Sequence, residues 1–411
     1  MSDSPPIHRV TVTFTGIPPT RPVGLASGVT DVEVDDHTLR CLVHGSVQPF
    51  LEAVRGYEVT NLTSRELRSA TPEQMRAVTH PAFGPAEVLR LRTVSTPKPG
   101  PGEVLVRVRA ASLNPWDWHF MRGLPYLSRL TDAGLRRPKH PILGSDVAGE
   151  VEAVGNAATR FRPGDQVYGF IGFGAFAEFV AVPEDRLAHR PSNLTFEQAA
   201  TLPLAGMTAL QGLRDAGQIQ AGQQVLIIGA SGGVGTMAVQ IAVALGAVVT
   251  AVCSTRNVDL VRSLGATQVI DYTRDDPTRS GAAYDVILQL AGTASPAQLR
   301  RILTPTGRLV LSSGDSSGRL IGPIDRILQA LALSPFVSQT LRPLVTTPSP
   351  ADLDELTRLV EGGQLTPVIE HTYPLAEAAA AIRHLETGRV RGKLALSVPA
   401  STTPTTKGTP S

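Results

Sequence analysis

A cluster of small residues between an apolar run and a predicted helix has the spacing of a phosphate-binding loop. The segment reads QQVLIIGASGGVGTMAVQIA, and its loop residues are Gly229, Ala230, Ser231, Gly232, Gly233, Val234 and Gly235. Gly232 would let the backbone approach a pyrophosphate, and Gly235 would let the helix pack closely on the strand. The N–H groups of residues 233–236 and the helix dipole would attract the anion. A glycine turn without a ligand is the alternative, but the flanking strand, helix and next strand favour a dinucleotide site.

The end of the next predicted strand indicates which dinucleotide this loop binds. An NAD site is expected to place a carboxylate about 20 residues after the loop, where it holds the ribose hydroxyl groups. Here the strand ends in VCSTRN, and the first acid, Asp259, already lies in the following helix. Ser254 and Arg256 can instead bind a 2′-phosphate, and Tyr272 after the next strand can do the same. The sequence therefore predicts NADPH, with a solvated surface charge as the alternative for Arg256.

A second group of reactive side chains stands in the segment NPWDWH, residues 114–119. His119 has an ordinary pKa of about 6.5, which suits a proton donor in the neutral pH range. A histidine that only lines a cleft is an equally good interpretation. Asp117 could orient a neighbouring group or cap a helix that begins here.

These residues belong to two patterns of secondary structure that together occupy most of the chain. Residues 75–204 are rich in short β runs separated by Pro-Gly turns, which predicts a β-rich domain. Residues 205–349 alternate strand and helix, which predicts a parallel, doubly wound sheet of the Rossmann type. Residues 350–398 end in a strand that begins at Lys393, and we assign them to the β-rich domain. The predicted fold class is therefore α/β.

The two ends of the chain are predicted to lie outside these domains. Residues 1–66 contain short alternating strands and one helix, which predicts a small α+β module. The run GVTDVEVDDHTLRCLVHGS and the ending YEVTNLTSRE resemble the accessory domain that follows the ATPase core in ATP-binding subunits of bacterial drug-exporter ABC transporters. The chain contains no G-x-x-x-x-G-K-[ST] loop, so this resemblance implies no ATP hydrolysis. Residues 67–74 are a predicted linker, and residues 399–411 are a predicted disordered tail.

Composition disfavours several other function classes. The net charge of +2 and an aromatic content of 5% argue against nucleic-acid binding. The two cysteines, Cys41 and Cys253, are far apart and do not form a zinc-binding motif. The stretch Ala216–Thr255 lacks charged side chains, but its glycines divide it into strand, loop, helix and strand, so we expect no membrane insertion. The N-terminus has no signal-peptide pattern, and we expect a cytoplasmic protein.

Five motifs follow one another in order and cover nearly all of residues 75–398. They are GEVLVRVRAASLNPWDWHFMRG, HPILGSDVAGEVEAVG, FRPGDQVYG, GASGGVG and ETGRVRGKLAL. The segment resembles the zinc-independent quinone oxidoreductase branch of the medium-chain dehydrogenase/reductase superfamily. The resemblance implies a GroES-like catalytic domain interrupted by a Rossmann domain, with the active site in the cleft between them, and a homodimer. It also implies that no metal binds, because Asn114 and Ser145 stand where zinc alcohol dehydrogenases carry a cysteine and a histidine.

The same resemblance implies roles for further residues. Asn114 matches the family's active-site asparagine, and His119 stands where several relatives carry a tyrosine. Thr208 matches a position beside the nicotinamide, while Gly392 and Lys393 match a stretch whose backbone comes near the cofactor. Without a Lewis acid, reduction of a quinone or an α,β-unsaturated carbonyl is favoured over alcohol oxidation. An NADPH-binding regulatory protein with little or no turnover is the alternative function.

Overall fold

The chain consists of two units that meet in sequence between Pro72 and Glu73. The structure is a computed structural model that describes residues 7–44, 46–67, 71–126, 129, 133–279, 281–312, 324–334 and 337–399. Residues 68–70 of the predicted linker and all but the first residue of the predicted tail lie outside the described residues.

The first unit is a four-stranded antiparallel sheet with two short helices. Its elements are β1 (Ile7–Phe14), α1 (Thr20–Leu25), β2 (Val29–Asp35), β3 (Thr38–His44), α2 (Gln48–Ala53) and β4 (Val59–Leu67). The strands pair in the order β2-β3-β1-β4. Alternate residues of β1, Val10, Val12 and Phe14, are buried together because successive side chains of a strand point to opposite faces. The unit is α+β, as predicted, and β4 extends to Leu67, the first residue of the predicted linker.

The second unit begins with a β-rich domain made of a hairpin and a seven-stranded sheet. The hairpin strands are β5 (Gln74–Thr79) and β6 (Arg90–Ser95). The sheet strands are β7 (Glu103–Ser112), β8 (Asp146–Val154), β9 (Gln166–Phe170), β10 (Phe179–Pro183), β11 (Leu187–His189), β18 (Ile369–Pro374) and β19 (Lys393–Ser397). They pair in the order β11-β9-β8-β7-β19-β18, and β10 also pairs with β7. The helices are α3 (Pro115–Arg122), α4 (Phe196–Ala200) and α11 (Ala378–Glu386).

A six-stranded parallel sheet is inserted between these strands in sequence. Its strands are β12 (Gln224–Ile228), β13 (Val248–Cys253), β14 (Gln268–Asp271), β15 (Tyr284–Gln289), β16 (Leu303–Ser312) and β17 (Thr340–Leu344). The helices of this part are α5 (Pro203–Gln211), α6 (Gly233–Ala244), α7 (Val258–Ser263), α8 (Pro296–Leu299) and α9 (Ile324–Leu333). A further helix, α10 (Pro350–Glu361), contacts both α5 and β11 of the β-rich sheet. The strand order is β14-β13-β12-β15-β16-β17, so the predicted Rossmann sheet is confirmed. The order reverses between β12 and β15, and such a reversal is where these sheets bind ligands.

The strands of the parallel sheet are apolar along their length because both faces are covered. In β12, Val225 and Ile227 pack into one core cluster and Leu226 into another, and all three are fully buried. The charge-free stretch Ala216–Thr255 therefore forms β12, α6 and β13 of a globular core. Within the described ranges, no helix is long and apolar enough to cross a membrane.

Candidate active site

A cavity of about 1290 Å³ lies between the parallel sheet and the β-rich domain. One wall is built by residues that follow β12 and β13, among them Gly232 and Ser254. The opposite wall includes Asn114, at the start of α3, and Lys393, at the start of β19. The cavity thus occupies the carboxyl ends of the parallel strands, where a doubly wound sheet binds a nucleotide.

The glycine loop after β12 forms a cradle that larger side chains would fill. A Cβ on Gly235 would lie 2.1 Å from the carbonyl oxygen of Gly229, and one on Gly233 would lie 2.7 Å from Cδ of Lys393. Gly229 has a φ of +87°, in the left-handed region that favours glycine. Gly232 is the N-cap of α6 and lines the cavity. The loop therefore presents bare backbone N–H groups at a helix N-terminus, which fits the pyrophosphate of a dinucleotide.

A loop of the β-rich domain lies directly against this cradle. The N–H of Gly392 donates to the carbonyl oxygen of Ser231 at 2.8 Å, and Gly392 forms an isolated parallel bridge with Gly232. Gly392 has a φ of +66°, and a Cβ there would lie 2.2 Å from the carbonyl oxygen of Val368. This close approach therefore requires glycine at position 392, and it places the backbone of Gly392 at the cavity.

Asn114 belongs to a buried network that contains an acid and a lysine. Its Nδ2 donates to Oγ of Ser145 at 3.0 Å and to Oδ2 of Asp146 at 2.8 Å. Its Oδ1 accepts a hydrogen bond from Nζ of Lys393 at 2.5 Å. Lys393 also donates to the carbonyl oxygen of Leu113 at 2.9 Å. Because both amide hydrogens are used, Asn114 has only an acceptor lone pair left for a ligand.

Asp117 supports this network from behind, because it caps α3 rather than lining the cavity. Its Oδ2 accepts from the N–H of Asn114 at 2.7 Å, and its Oδ1 accepts from the N–H of Gly144 at 3.2 Å. Burial raises the pKa of Asp117 to about 7 and the pKa of Asp146 to about 6, and the charge of Lys393 opposes both shifts. Burial lowers the pKa of Lys393, and the charges of Asp146 and Asp117 oppose this shift. Two buried acids thus share the charge of Lys393.

The far end of the cavity gathers the three residues predicted to bind a 2′-phosphate. Ser254, Arg256 and Tyr272 all line it, and Tyr272 is 59% exposed. The guanidinium group of Arg256 donates to the carbonyl oxygen of Arg389, which belongs to the β-rich domain. Arg256 therefore spans the cleft between the two domains.

The sequence analysis did not predict several other lining residues at this end, among them Asn257, Arg274, Asp275 and Asp276. Arg274 adds a second cation, whereas Asp275 and Asp276 add negative charge. Arg274, Asp275 and Asp276 lie close to Tyr272 in sequence, and this closeness was a signal that could have identified them. Asn257 was overlooked because an asparagine directly before a helix normally caps that helix.

Comparisons with known proteins identify the family. The family model described as "Alcohol dehydrogenase GroES-like domain" matches residues 100–192, and the one described as "Zinc-binding dehydrogenase" matches residues 264–396. The mouse protein "NAD(P)H oxidoreductase RTN4IP1, mitochondrial" is 34% identical over 332 residues, which are 72% of this chain and 81% of the relative. The Arabidopsis thaliana "NADPH-dependent alkenal/one oxidoreductase, chloroplastic" is 32% identical over 340 residues, covering 79% of this chain and 80% of the relative. The solved quinone oxidoreductase from Coxiella burnetii has a TM-score of 0.68 and 32% identity, covering 79% of this chain and 100% of that chain.

The chain belongs to the quinone oxidoreductase branch of the medium-chain dehydrogenase/reductase superfamily. It is therefore an oxidoreductase of a family that uses nicotinamide cofactors. Neither family model includes any residue before residue 100, so the resemblance of residues 1–66 to an ABC accessory domain stays a prediction.

The structure of this medium-chain oxidoreductase brings most of the predicted site residues to one cavity. Those that line it are Asn114, Ser231, Gly232, Gly233, Val234, Gly235, Ser254, Arg256, Tyr272, Gly392 and Lys393. Four predicted residues are not among the lining residues: Asp117, His119, Thr208 and Ala230. Ala230, the second residue of the glycine loop, is fully buried.

The side chains of His119 and Thr208 contact other parts of the protein and do not line the cavity. The ring of His119 stacks on Trp118 with centroids 3.7 Å apart, and its Nδ1 is buried without a hydrogen-bond partner. Burial lowers the pKa of His119, so a smaller fraction of its rings carries a proton at neutral pH. Oγ1 of Thr208 donates to the carbonyl oxygen of Leu204 at 2.6 Å, and on the same helix it is Ala205 that lines the cavity.

Proposed function

We propose that this protein is an NADPH-dependent reductase that transfers a hydride to a quinone or an α,β-unsaturated carbonyl without a metal ion. The proposal is carried by the hydrogen bond between Nδ2 of Asn114 and Oγ of Ser145, which are 3.0 Å apart. These two residues stand at the positions where zinc-dependent relatives are expected to hold their metal. An amide and a hydroxyl group that are hydrogen-bonded to each other replace the thiolate and imidazole ligands that zinc would need at these two positions.

The rest of the chain gives this interpretation further support. No three His, Cys, Asp or Glu side chains come together as a metal-binding group in the part of the chain that the structure describes. Without a Lewis acid, an alcohol is a poor hydride donor, whereas a quinone or enone is already activated as an acceptor. The names of the Arabidopsis and Coxiella relatives, an alkenal/one oxidoreductase and a quinone oxidoreductase, point to the same two acceptor classes.

The choice of NADPH is supported by the side chains that follow β13. Bound NADPH supplies the hydride. The backbone N–H groups around Gly233 would hold its pyrophosphate, and Arg256 and Ser254 would bind its 2′-phosphate. The first acid after β13 is Asp259, which has a fully exposed carboxylate and is not among the cavity-lining residues. The acids that do line this end, Asp275 and Asp276, follow β14, so they do not stand at the position after β13 where an NAD site is expected to carry its carboxylate.

The β-rich wall supplies the chemistry at the acceptor. Leu113, Trp118 and Leu394 give the cavity apolar surface beside Asn114, which helps to exclude water from the hydride. Lys393 adds a buried positive charge to this wall, and such a charge favours the oxyanion that develops on the acceptor.

Two observations favour the second candidate function, an NADPH-binding protein with little turnover. His119, the predicted proton donor, is not among the cavity-lining residues, and the amide hydrogens of Asn114 are both engaged. Under this alternative, the protein would bind NADPH and lack a donor that completes the reduction.

Steady-state oxidation of NADPH against a panel of small quinones and enones tests the proposal. The full chain is first treated with a chelator, and we expect turnover to persist. Absence of turnover with every acceptor, combined with NADPH protection against thermal unfolding, would establish the binding function instead. Loss of turnover on chelation that added zinc restores would contradict the metal-free part of the proposal.

A further inference from the structure

Asn257 lies at the N-terminal boundary of α7, but its side chain does not cap that helix. An asparagine at an N-cap normally accepts a hydrogen bond from a backbone N–H of the first turn. Asn257 is instead 4% exposed and lines the cavity. Its side chain has therefore exchanged the usual capping role for contacts inside the cavity.

The amide of Asn257 connects the two segments that enclose the phosphate end of the cavity. Its Nδ2 donates to Oγ of Ser231 in the glycine loop at 2.9 Å and to Oγ of Ser254 after β13 at 3.3 Å. Both serines line the cavity. One side chain thus sets the positions of two hydroxyl groups that come from different loops.

These two bonds fix what the serine hydroxyl groups can do for a ligand. A serine oxygen that accepts from an amide N–H keeps its own O–H as a donor. Among the described residues, neither Ser231 nor Ser254 donates that hydrogen to another protein atom. Both donors are therefore available to an anion in the cavity, beside the guanidinium group of Arg256.

The other atom of the amide also lacks a protein partner. Oδ1 of Asn257 is buried without a hydrogen bond. A buried acceptor is closed to the cavity as well as to solvent, so Asn257 acts on a ligand only through the two serine hydroxyl groups. Two hydroxyl donors beside the guanidinium group of Arg256 suit a phosphate, such as the 2′-phosphate of NADPH.

We propose that Asn257 is a positioning residue that turns the hydroxyl groups of Ser231 and Ser254 toward the 2′-phosphate and so sets the preference for NADPH over NADH. The inference rests on the proposed function, since it requires NADPH to be the preferred cofactor. It adds a residue that does not itself need to touch the phosphate.

The experiment compares two nucleotide fragments that differ only in the 2′-phosphate. Calorimetry on the full chain measures the dissociation constants of 2′,5′-ADP and 5′-AMP for the wild type and for Asn257→Leu. We expect the variant to weaken 2′,5′-ADP about tenfold, the scale of a charge-assisted hydrogen bond. The affinity for 5′-AMP should change much less, because that fragment has no group for the serine donors.

Two further variants separate orientation from general damage. Ser263→Ala is the matched control, because Oγ of Ser263 on α7 donates to the carbonyl oxygen of Leu260 at 2.7 Å and Ser263 is not among the cavity-lining residues. It should leave the ratio of the two affinities unchanged. Adding Ser254→Ala to Asn257→Leu should cost less than Ser254→Ala in the wild type, because the hydroxyl is no longer oriented.

The outcomes distinguish this inference from the proposed function. A wild type that binds both fragments equally refutes the NADPH preference itself. A wild type that prefers 2′,5′-ADP, with a variant that keeps the full preference, refutes only the role of Asn257. Equal weakening of both fragments by Asn257→Leu would show a structural role instead. If Asn257→Leu does not fold, Asn257→Asp keeps the size and makes both serines donate to the carboxylate, and retention of the preference would then overturn the proposal.

Discussion

Replacing Lys393 by methionine removes the cation that holds the amide of Asn114, and we expect it to lower both stability and turnover. Lys393 is 4% exposed, and its Nζ lies 4.0 Å from Oδ2 of Asp146. Removing one partner of a buried ion pair costs about 3–5 kcal/mol. The pKa of Asp146, already raised to about 6, should rise further without the cation, so protonation relieves part of the cost. We therefore expect a loss near the lower end, about 3 kcal/mol.

The double variant Lys393→Met with Asp146→Asn tests whether this cost comes from the uncompensated acid. When the carboxylate is replaced by an amide, the side-chain amide of Asn114 can flip. Its Oδ1 then accepts a hydrogen bond from the new amide N–H at position 146. We expect the double variant to recover about 1–3 kcal/mol, the usual coupling between residues of one network. Turnover should stay low in both variants, because the acceptor atom of Asn114 is no longer fixed in the cavity.

Denaturant unfolding at neutral pH measures the stability of these variants, and NADPH oxidation measures their kcat and KM. Lys98→Met is the matched control, since Lys98 is exposed, and it should change neither quantity. We expect kcat of Lys393→Met to fall about tenfold, which corresponds to about 1.4 kcal/mol of lost transition-state stabilisation. A stability loss below about 1 kcal/mol with unchanged kcat, or strict additivity in the double variant, would refute the network as described.

Three further predictions concern the cofactor and pH. Arg256→Ala should weaken NADPH more than NADH by roughly 1–3 kcal/mol in fluorescence titrations, and an equal loss for both would count against the 2′-phosphate assignment. Gly235→Ala should lower the melting temperature and abolish NADPH protection, because its Cβ would lie 2.1 Å from the carbonyl oxygen of Gly229; normal protection would show that the loop can adjust. Burial lowers the pKa of His119 in the fold, so its contribution to stability is present above about pH 6.5 and is lost as the pH falls and the unfolded chain takes up the proton first. Thermal melts at about pH 7 and 5 should therefore show a smaller acid-induced loss for His119→Phe than for the wild type, and equal losses would contradict this sign.

The sequence predicted the features that depend on neighbours along the chain. The glycine loop was recognisable because Gly229, Gly232 and Gly235 follow an apolar strand and open a helix within seven residues. The alternation of strand and helix after residue 205 predicted the parallel sheet for the same reason, since periodicity is a local property. Ser254 and Arg256 were found because their distance from the loop is fixed by one helix and one strand.

The network around Asn114 was out of reach because its members are far apart in sequence. Lys393 was assigned to the cofactor through its backbone, whereas its side chain reaches Asn114, 279 positions away. Nothing local indicates that β19 pairs with β7 and brings the two together. His119 and Thr208 were assigned through relatives, and a matched position does not tell which face of a helix meets the cavity. Asn257 was hidden by its place before a helix, where capping is the usual role.

Transfer of deuterium from labelled NADPH to an enone tests the central claim most directly. The full chain, freed of metal by a chelator, is incubated with a simple α,β-unsaturated ketone and NADPH that is doubly deuterated at nicotinamide C4. Mass spectrometry of the product should find one deuterium on carbon and the double bond reduced. Absence of reduced product with the enone and with every quinone of the panel, or an enone product that carries no deuterium, would contradict the assignment of the protein as a metal-free hydride-transferring reductase.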